Sequence, residues 1–239
     1  MKIGSALLTN NGKGIDKDLI SEWVEQIVEL QSHNIDVVLV SSGSIVEGMK
    51  RLGWKDKPSD IHKLQAAAAV GQMGLVQAYE YLFAKHKVQT AQVLLTQDNL
   101  INTKHFENIS ATLENLLEFG AVPVINENDT VATEEIKFGD NDTLAALVAN
   151  LLGAERLIIL TDQHGVFDDD PRINKNASLI KEINFDDEKL ERVAGKTGGI
   201  LGSGGMYSKV MAAKQAAKSK TLSNIAWGRE EKVLIRIYQ

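Results

Sequence analysis

AVPVINENDTVATEEIKFGDND, running from Ala121 to Asp142, joins an apolar stretch to a polar one. Ala121 to Ile125 reads as a buried strand, with Pro123 tolerated at its start or on a sheet edge because proline cannot donate to a ladder. The remainder carries six carboxylates interleaved with carboxamides and hydroxyls around two apparent helix starts. A strand, a polar loop and a helix in that order place the loop outside the carboxyl end of the strand, where open α/β sheets hold their ligands. Acid-rich segments also serve as solvated loops and helix caps, so neighbouring segments must decide between the two.

Those neighbours alternate between strand-like and helix-like runs from end to end, which predicts α/β architecture: a three-layer αβα sandwich with a largely parallel central sheet. Asp16 to Gln31 carries Ile20, Trp23, Val24, Ile27 and Leu30 at helical spacing, and Ile35 to Val40 follows as a short apolar strand. After Ser41-Ser42-Gly43-Ser44 the pattern predicts a helix to Leu52, then a long one capped by Ser59 and running to Phe83. Val88 to Thr96 is the next expected strand, and Lys104 to Phe119 the next helix, ended by Gly120. Leu144, Leu147, Val148, Leu151 and Leu152 form a helical stripe closed by Gly153, and Leu157 to Leu160 returns as a buried strand. Beyond Gly165 the pattern weakens, recovers in a helix from Tyr207 to Lys218, and ends with Val233 to Ile237 as an expected strand. With no repeat or linker-like tract, residues 1–239 read as one domain.

Composition narrows the function. The chain has 239 residues, 44% of them hydrophobic, enough for a full layered core, and a formal charge of −6. An acidic balance argues against nucleic acid and membrane surfaces as partners, since both are met with clustered Lys and Arg. The absence of cysteine excludes disulfides, zinc thiolates and thiol catalysis, and favours the cytosol. No run approaches the roughly 20 apolar residues that span a bilayer.

Several loops suit an anionic ligand. In Lys2-Ile3-Gly4-Ser5 the glycine lets main chain approach an anion beside a lysine. Ser41-Ser42-Gly43-Ser44 offers backbone donors at a helix N-terminus, although a serine there is also an ordinary cap. Thr161-Asp162 follows the Leu157 to Leu160 strand. Leu201 to Lys209, LGSGGMYSK, sets three glycines before a helix with a lysine in its first turn, without the order of a P-loop or of a dinucleotide fingerprint. Two separated glycine-plus-lysine elements, at Lys2 and Lys209, suit phosphoryl transfer, which is catalysed mainly by positioning and by cations that meet the transferring charge. Asp140 and Asp142 are favoured cap types for a helix beginning near Thr143, and capping is compatible with holding a ligand.

Taken in order, the Lys2 element, VSSGSIVEGM, LQAAAAVGQ, QVLLTQD, INENDTVATEEIKFGDND, LIILTDQHGVFDDDPR and GSGGMYSK resemble the glutamate 5-kinases of the amino acid kinase family over nearly the whole chain. The acidic string is the most specific match. The resemblance implies ATP-dependent phosphorylation of the γ-carboxylate of L-glutamate to L-glutamyl 5-phosphate plus ADP, the first step of proline biosynthesis. It implies that Lys2, Lys209 and Asp142 are catalytic, with Asp142 orienting both lysines. Ser42, Gly43, Asp129, Asp140 and Asn141 would bind glutamate. Lys2, Gly4, Ser5, Thr161, Asp162, Ser203, Gly204, Gly205, Met206, Tyr207, Ser208 and Lys209 would bind ATP. Residues up to about 155 would then serve glutamate and residues 156–239 the nucleotide. No metal ligand is expected from the protein, because Mg²⁺ would be carried mainly by the nucleotide. A cytoplasmic homodimer or homotetramer is implied, with a functional link to glutamate-5-semialdehyde dehydrogenase.

Ala6 and Ser203 depart from the family pattern mildly. Met1 directly precedes Lys2 where relatives carry several residues, and a short form without the C-terminal RNA-modification-type (PUA) domain is expected. Two other readings share part of these features. One is a kinase of the same fold acting on another small acid or a phosphate. The other is a sensor that binds ATP or an amino acid without turnover.

Overall fold

The computed structural model describes residues 1–10, 14–132, 141–196 and 205–239. Among them, six parallel strands form one sheet, β1 (Lys2–Ile3), β2 (Leu39–Val40), β3 (Thr90–Leu95), β4 (Val122–Glu127), β5 (Arg156–Thr161) and β6 (Leu222–Trp227), in the order β3-β4-β2-β1-β5-β6. The helices are α1 (Ser5–Leu8), α2 (Lys17–Ser32), α3 (Ser44–Arg51), α4 (Ile61–Ala84), α5 (Gln97–Ile101), α6 (Thr103–Glu118), α7 (Asp142–Leu151), α8 (Glu188–Lys196), α9 (Met206–Ala217) and α10 (Val233–Tyr238). Strand alternation sorts them into two outer layers. Ile158 and Leu160 of β5 join a core with α2, α4 and α10, through Trp23, Tyr79, Phe83 and Leu234. Leu157 and Ile159 face the opposite core, with Leu113 of α6, Leu144 and Val148 of α7 and Ala212 of α9. This is the expected αβα sandwich, with a parallel sheet covered on both faces.

Pro123 lies near the start of β4 as expected, but β4 is an interior strand rather than an edge. The arrangement works because Val122 N–H already bonds Gln89 on the β3 side, while Pro123 faces the β2 side one residue before that ladder begins at Val124 paired with Leu39. The missing N–H therefore falls where β2 asks for no donor. At α4 the cap is Asp60, not Ser59: its carboxylate accepts from the His62 and Lys63 amides. Gly120 and Gly153 both adopt positive φ after their helices, as expected.

Two elements differ in kind from the sequence expectation. Val233 to Tyr238 is a helix, not a strand, and buries Val233, Leu234 and Ile235 against α2 while the Leu234 amide bonds Gln26 Oε1. A short apolar, β-branched run fits either state, and here the tertiary partner decides. The last strand is instead β6, whose sequence LSNIAW lacks an apolar run because it is an edge strand, exposed or half-buried throughout. α8 and the small cluster of Val166, Leu190, Met206 and Val210 fill the region where the pattern weakens.

The chain moves from β1 to β2 on one side and reaches β5 and β6 on the other, so the topology reverses beside β1. Ligands of open α/β sheets bind at such a switch point, off the carboxyl ends of the strands. Gly4, Ser41-Ser42, Glu127 and Thr161-Asp162 all stand at those ends, and Lys2 opens the two-residue β1 beside them.

Candidate active site

Asp142 opens α7 with its side chain fully buried. One carboxylate oxygen, Oδ1, pairs with Lys2 Nζ; the other, Oδ2, takes Lys209 Nζ at 3.1 Å and Ser208 Oγ at 2.9 Å. Both lysines are nearly as buried, 3% and 4% exposed, so neither ammonium is there for solubility. The triad carries one net positive charge in a site of low water access, which is costly alone and favours an incoming anion. Asn141, not Asp142, is the N-cap of α7, and no side-chain cap bond is made there among the described residues. The Asp142 carboxylate is thus turned to the lysines and away from the capping role its residue type suggests.

Beside the triad, the Asn141 carboxamide nitrogen faces the Ser41 carbonyl, Ser42 Oγ at 3.3 Å and Asn126 Oδ1 at 2.6 Å. Asn126 in turn donates to Gln72 Oε1 of α4 at 2.7 Å. Asp129 follows β4 on a turn held by Gln65, which donates to the carbonyls of Thr130 and Ala132. Its Oδ2 accepts from Ser44 Oγ at 2.9 Å. Burial pushes the Asp129 carboxyl above its ordinary value, and the Ser44 hydrogen bond offsets part of that rise. Ser42, Gly43, Asp129 and Asn141 share a cavity of about 120 Å³ with Ser5, Glu127 and Lys57. That volume suits a small metabolite and is far below the several hundred Å³ of a drug-sized pocket.

Local sequence explains the geometry. Gly43 is the N-cap of α3 at φ +94°, a conformation open to glycine, and a Cβ there would sit 3.1 Å from Thr9 Cγ2. α3 also lies unusually close to α4, because a Cβ on Gly71 would meet the Ser44 carbonyl oxygen at 1.8 Å. These approaches carry Ser42 and Ser44 to the cavity wall.

The nucleotide-side candidates occupy the adjoining strand ends. Thr161 is buried at the end of β5 and donates to Asp162 Oδ1 at 3.2 Å, while its carbonyl accepts from the Gly228 amide. Gly4 bonds the Leu160 carbonyl, tying the Lys2 loop to β5. Gly205 caps α9 without a side-chain bond among the described residues, leaving the first-turn amides of Met206, Tyr207 and Ser208 open to an anion. Asp140, Ser203 and Gly204 lie outside the described residues. The sequence pattern does not single out Ser44, Asn126 or Gln72. All three sit inside motifs already marked, Ser44 in VSSGSIVEGM, Asn126 in the acidic string and Gln72 as the last residue of LQAAAAVGQ, but the motifs give none of them a role of its own.

Residues 1–225 match the model of the amino acid kinase family, and the chain belongs to that family. It is 59% identical to the glutamate 5-kinases of Hydrogenovibrio crunogenus and Alcanivorax borkumensis, over 99% of its own length and 63% of theirs. With the glutamate 5-kinase of Pseudomonas syringae pv. tomato the identity is 58%, over 99% of this chain and 64% of that protein. The chain therefore spans a little under two thirds of these relatives. Among solved structures, the isopentenyl phosphate kinase of T. acidophilum in a product complex superposes with a TM-score of 0.65 at 15% identity, covering 99% of this chain and 93% of that one. Carbamate kinase from Giardia lamblia bound to AMP-PNP gives 0.66 at 16%, covering 98% and 93%. At such identity these two establish the shared fold.

Proposed function

We propose that this chain transfers the γ-phosphoryl group of ATP to the γ-carboxylate of L-glutamate, forming L-glutamyl 5-phosphate and ADP at the start of proline biosynthesis. The observation that carries the reading is the Lys2–Asp142–Lys209 triad set against a cavity sized for an amino acid. Its relatives named glutamate 5-kinase support the choice of acceptor.

In this reading Asp129 accepts the substrate ammonium, and Asn141 with Ser42 orients the carboxylate that reacts. That carboxylate is already ionised at neutral pH, so no side chain has to act as base. One of its oxygens attacks the γ-phosphorus in line, the bond from phosphorus to the β,γ-bridging oxygen breaks, and ADP leaves with the electron pair. Lys2 and Lys209, aimed by Asp142, meet the charge on the transferring group and the leaving phosphate. The open amides of α9, with Gly4, Ser5, Thr161, Asp162, Ser203 and Gly204, form the proposed nucleotide side. Residues up to about 155 serve the acid and residues 156–239 the nucleotide, within one domain. Mg²⁺ bound to the ATP phosphates supplies charge neutralisation there.

A cytoplasmic homodimer or homotetramer completes the proposal, its acyl phosphate being consumed by glutamate-5-semialdehyde dehydrogenase. Among the described residues no helix is long and apolar enough to cross a membrane. The test is ADP release in the presence of Mg²⁺: it must depend on L-glutamate over aspartate, N-acetylglutamate, carbamate and UMP. Lys209→Met must lower turnover by roughly 10²-fold. ADP release indifferent to glutamate would refute the assignment.

A further inference from the structure

Glutamate brings three charged groups, and the cavity described above accounts for two of them. Asp129, steadied by Ser44, answers the ammonium; Asn141 and Ser42 stand next to the lysine triad and answer the reacting γ-carboxylate. The α-carboxylate is left over, and an anion entering a cavity that also contains the carboxylates of Glu127 and Asp129 needs a compensating charge. Among the described residues that line the cavity, Lys57 is the cationic one. It sits on the exposed loop between α3 and α4.

We infer that Lys57 recognises the α-carboxylate of the substrate and so determines specificity for an α-amino acid over acids that present only the reacting carboxylate. The inference rests on the glutamate kinase reading and deepens it. The first turn of α3 supports the same end of the substrate: its cap, Gly43, has no side-chain bond among the described residues, and Ser44, Ile45 and Val46 all line the cavity. Open amides and the positive end of the helix therefore face the same cavity that Lys57 lines. An exposed lysine on a loop gives up little solvation until the ligand arrives, so its contribution is to binding, not to turnover.

The experiment compares L-glutamate with its α-amide, L-isoglutamine, which keeps the ammonium and the γ-carboxylate but neutralises the third group. In the unaltered protein the amide should show a KM roughly five- to tenfold higher, the range of a rim charge pair partly desolvated by its ligand. Lys57→Met should raise the KM for glutamate by the same factor, leave that for the amide unchanged, and leave kcat and the KM for ATP unchanged. Lys57→Arg should restore the preference. A Lys57→Met protein that loses both substrates alike, or neither, would overturn the assignment of Lys57 while the kinase reading stands. Absence of glutamate turnover in the unaltered protein would instead overturn the kinase reading, and the role of Lys57 with it.

Discussion

Asp142→Asn keeps the size and the helix-starting position of the side chain but withdraws the charge shared by two ammonium groups. Asp142 is 0% exposed and its partners 3% and 4%, so water cannot replace what is lost. Removing one member of a buried ion pair costs about 3–5 kcal/mol, because the survivor is left uncompensated. Here one substitution leaves two, so the upper half of that range applies to the fold. For a chain of this size each kcal/mol moves Tm by about 2–4 °C, which places the expected drop at about 8–20 °C. Scanning calorimetry reads it directly. The same experiment repeated with saturating ADP separates a charge effect from simple damage: diphosphate gives both lysines an anion again, so the ligand-induced rise in Tm should be larger in Asp142→Asn than in the unaltered protein. Turnover should fall about 10²-fold, since asparagine cannot hold the lysines aimed at the developing charge. An unshifted Tm, or an ADP response equal in both proteins, would refute the account of Asp142 as the anion that makes a doubly cationic site tolerable.

Asp129 supplies a pH test. Its carboxyl titrates above the ordinary 3.8 because of burial, and it must be ionised to accept an ammonium, so kcat/KM for glutamate should climb as pH rises through that raised value and then level off. Asp129→Asn should abolish this limb and bind glutamate weakly throughout. For stability the sign is opposite: the raised pKa favours the protonated fold, so this contribution is present in acid and is lost as pH rises through the folded value. Gly71→Ala should cost about 3 kcal/mol or more in urea unfolding and raise the KM for glutamate, since its Cβ would lie 1.8 Å from the Ser44 carbonyl oxygen and drive α3 off α4. Gly43→Ala, forced to φ +94°, should cost about 1–2 kcal/mol of backbone strain and weaken glutamate more than ATP. A Gly43→Ala protein with unchanged glutamate affinity would mean that the Ser42 to Ser44 wall tolerates movement.

The strand-to-helix alternation was legible because most core strands are continuous apolar runs and most helices carry a one-sided stripe. Leu157 to Leu160 and the stripe from Leu144 to Leu152 are read correctly for that reason. The pattern fails where burial is partial or borrowed. β6 is half-buried at the sheet edge and so has no apolar run to read. The Val233 to Ile237 run has one, but a contact with Gln26 on α2 and burial against that helix settle its conformation. The candidate site divides the same way. Lys2, Ser42, Asp129, Asn141, Asp142 and Lys209 lie in motifs with unusual local composition. Gln72 ends the LQAAAAVGQ motif, but its place at the site, through the hydrogen bond from Asn126, is a relation between α4 and β4 that spacing along the chain does not encode.

That division has a topological cause. Lys2 and Lys209 come from opposite ends of the chain, and only the reversal of strand order beside β1 brings β5, and the α9 crossover that follows it, next to the first strand. A lysine-glycine pair at either end is uninformative while it is read alone. Asp142 turns the two into one site, because a fully buried carboxylate at the start of α7 has two oxygens, and each of them holds a lysine from a different half of the fold. The acidic segment from Asn126 to Asp142 thus contributes from both ends. In the proposed reaction it shapes the acid pocket through Asp129 and Asn141, and through Asp142 it would couple that pocket to the two cations that meet the transferring group. A substitution in this segment should therefore separate cleanly by kinetics: Asp129 changes should appear mainly in the KM for glutamate and Asp142 changes mainly in kcat.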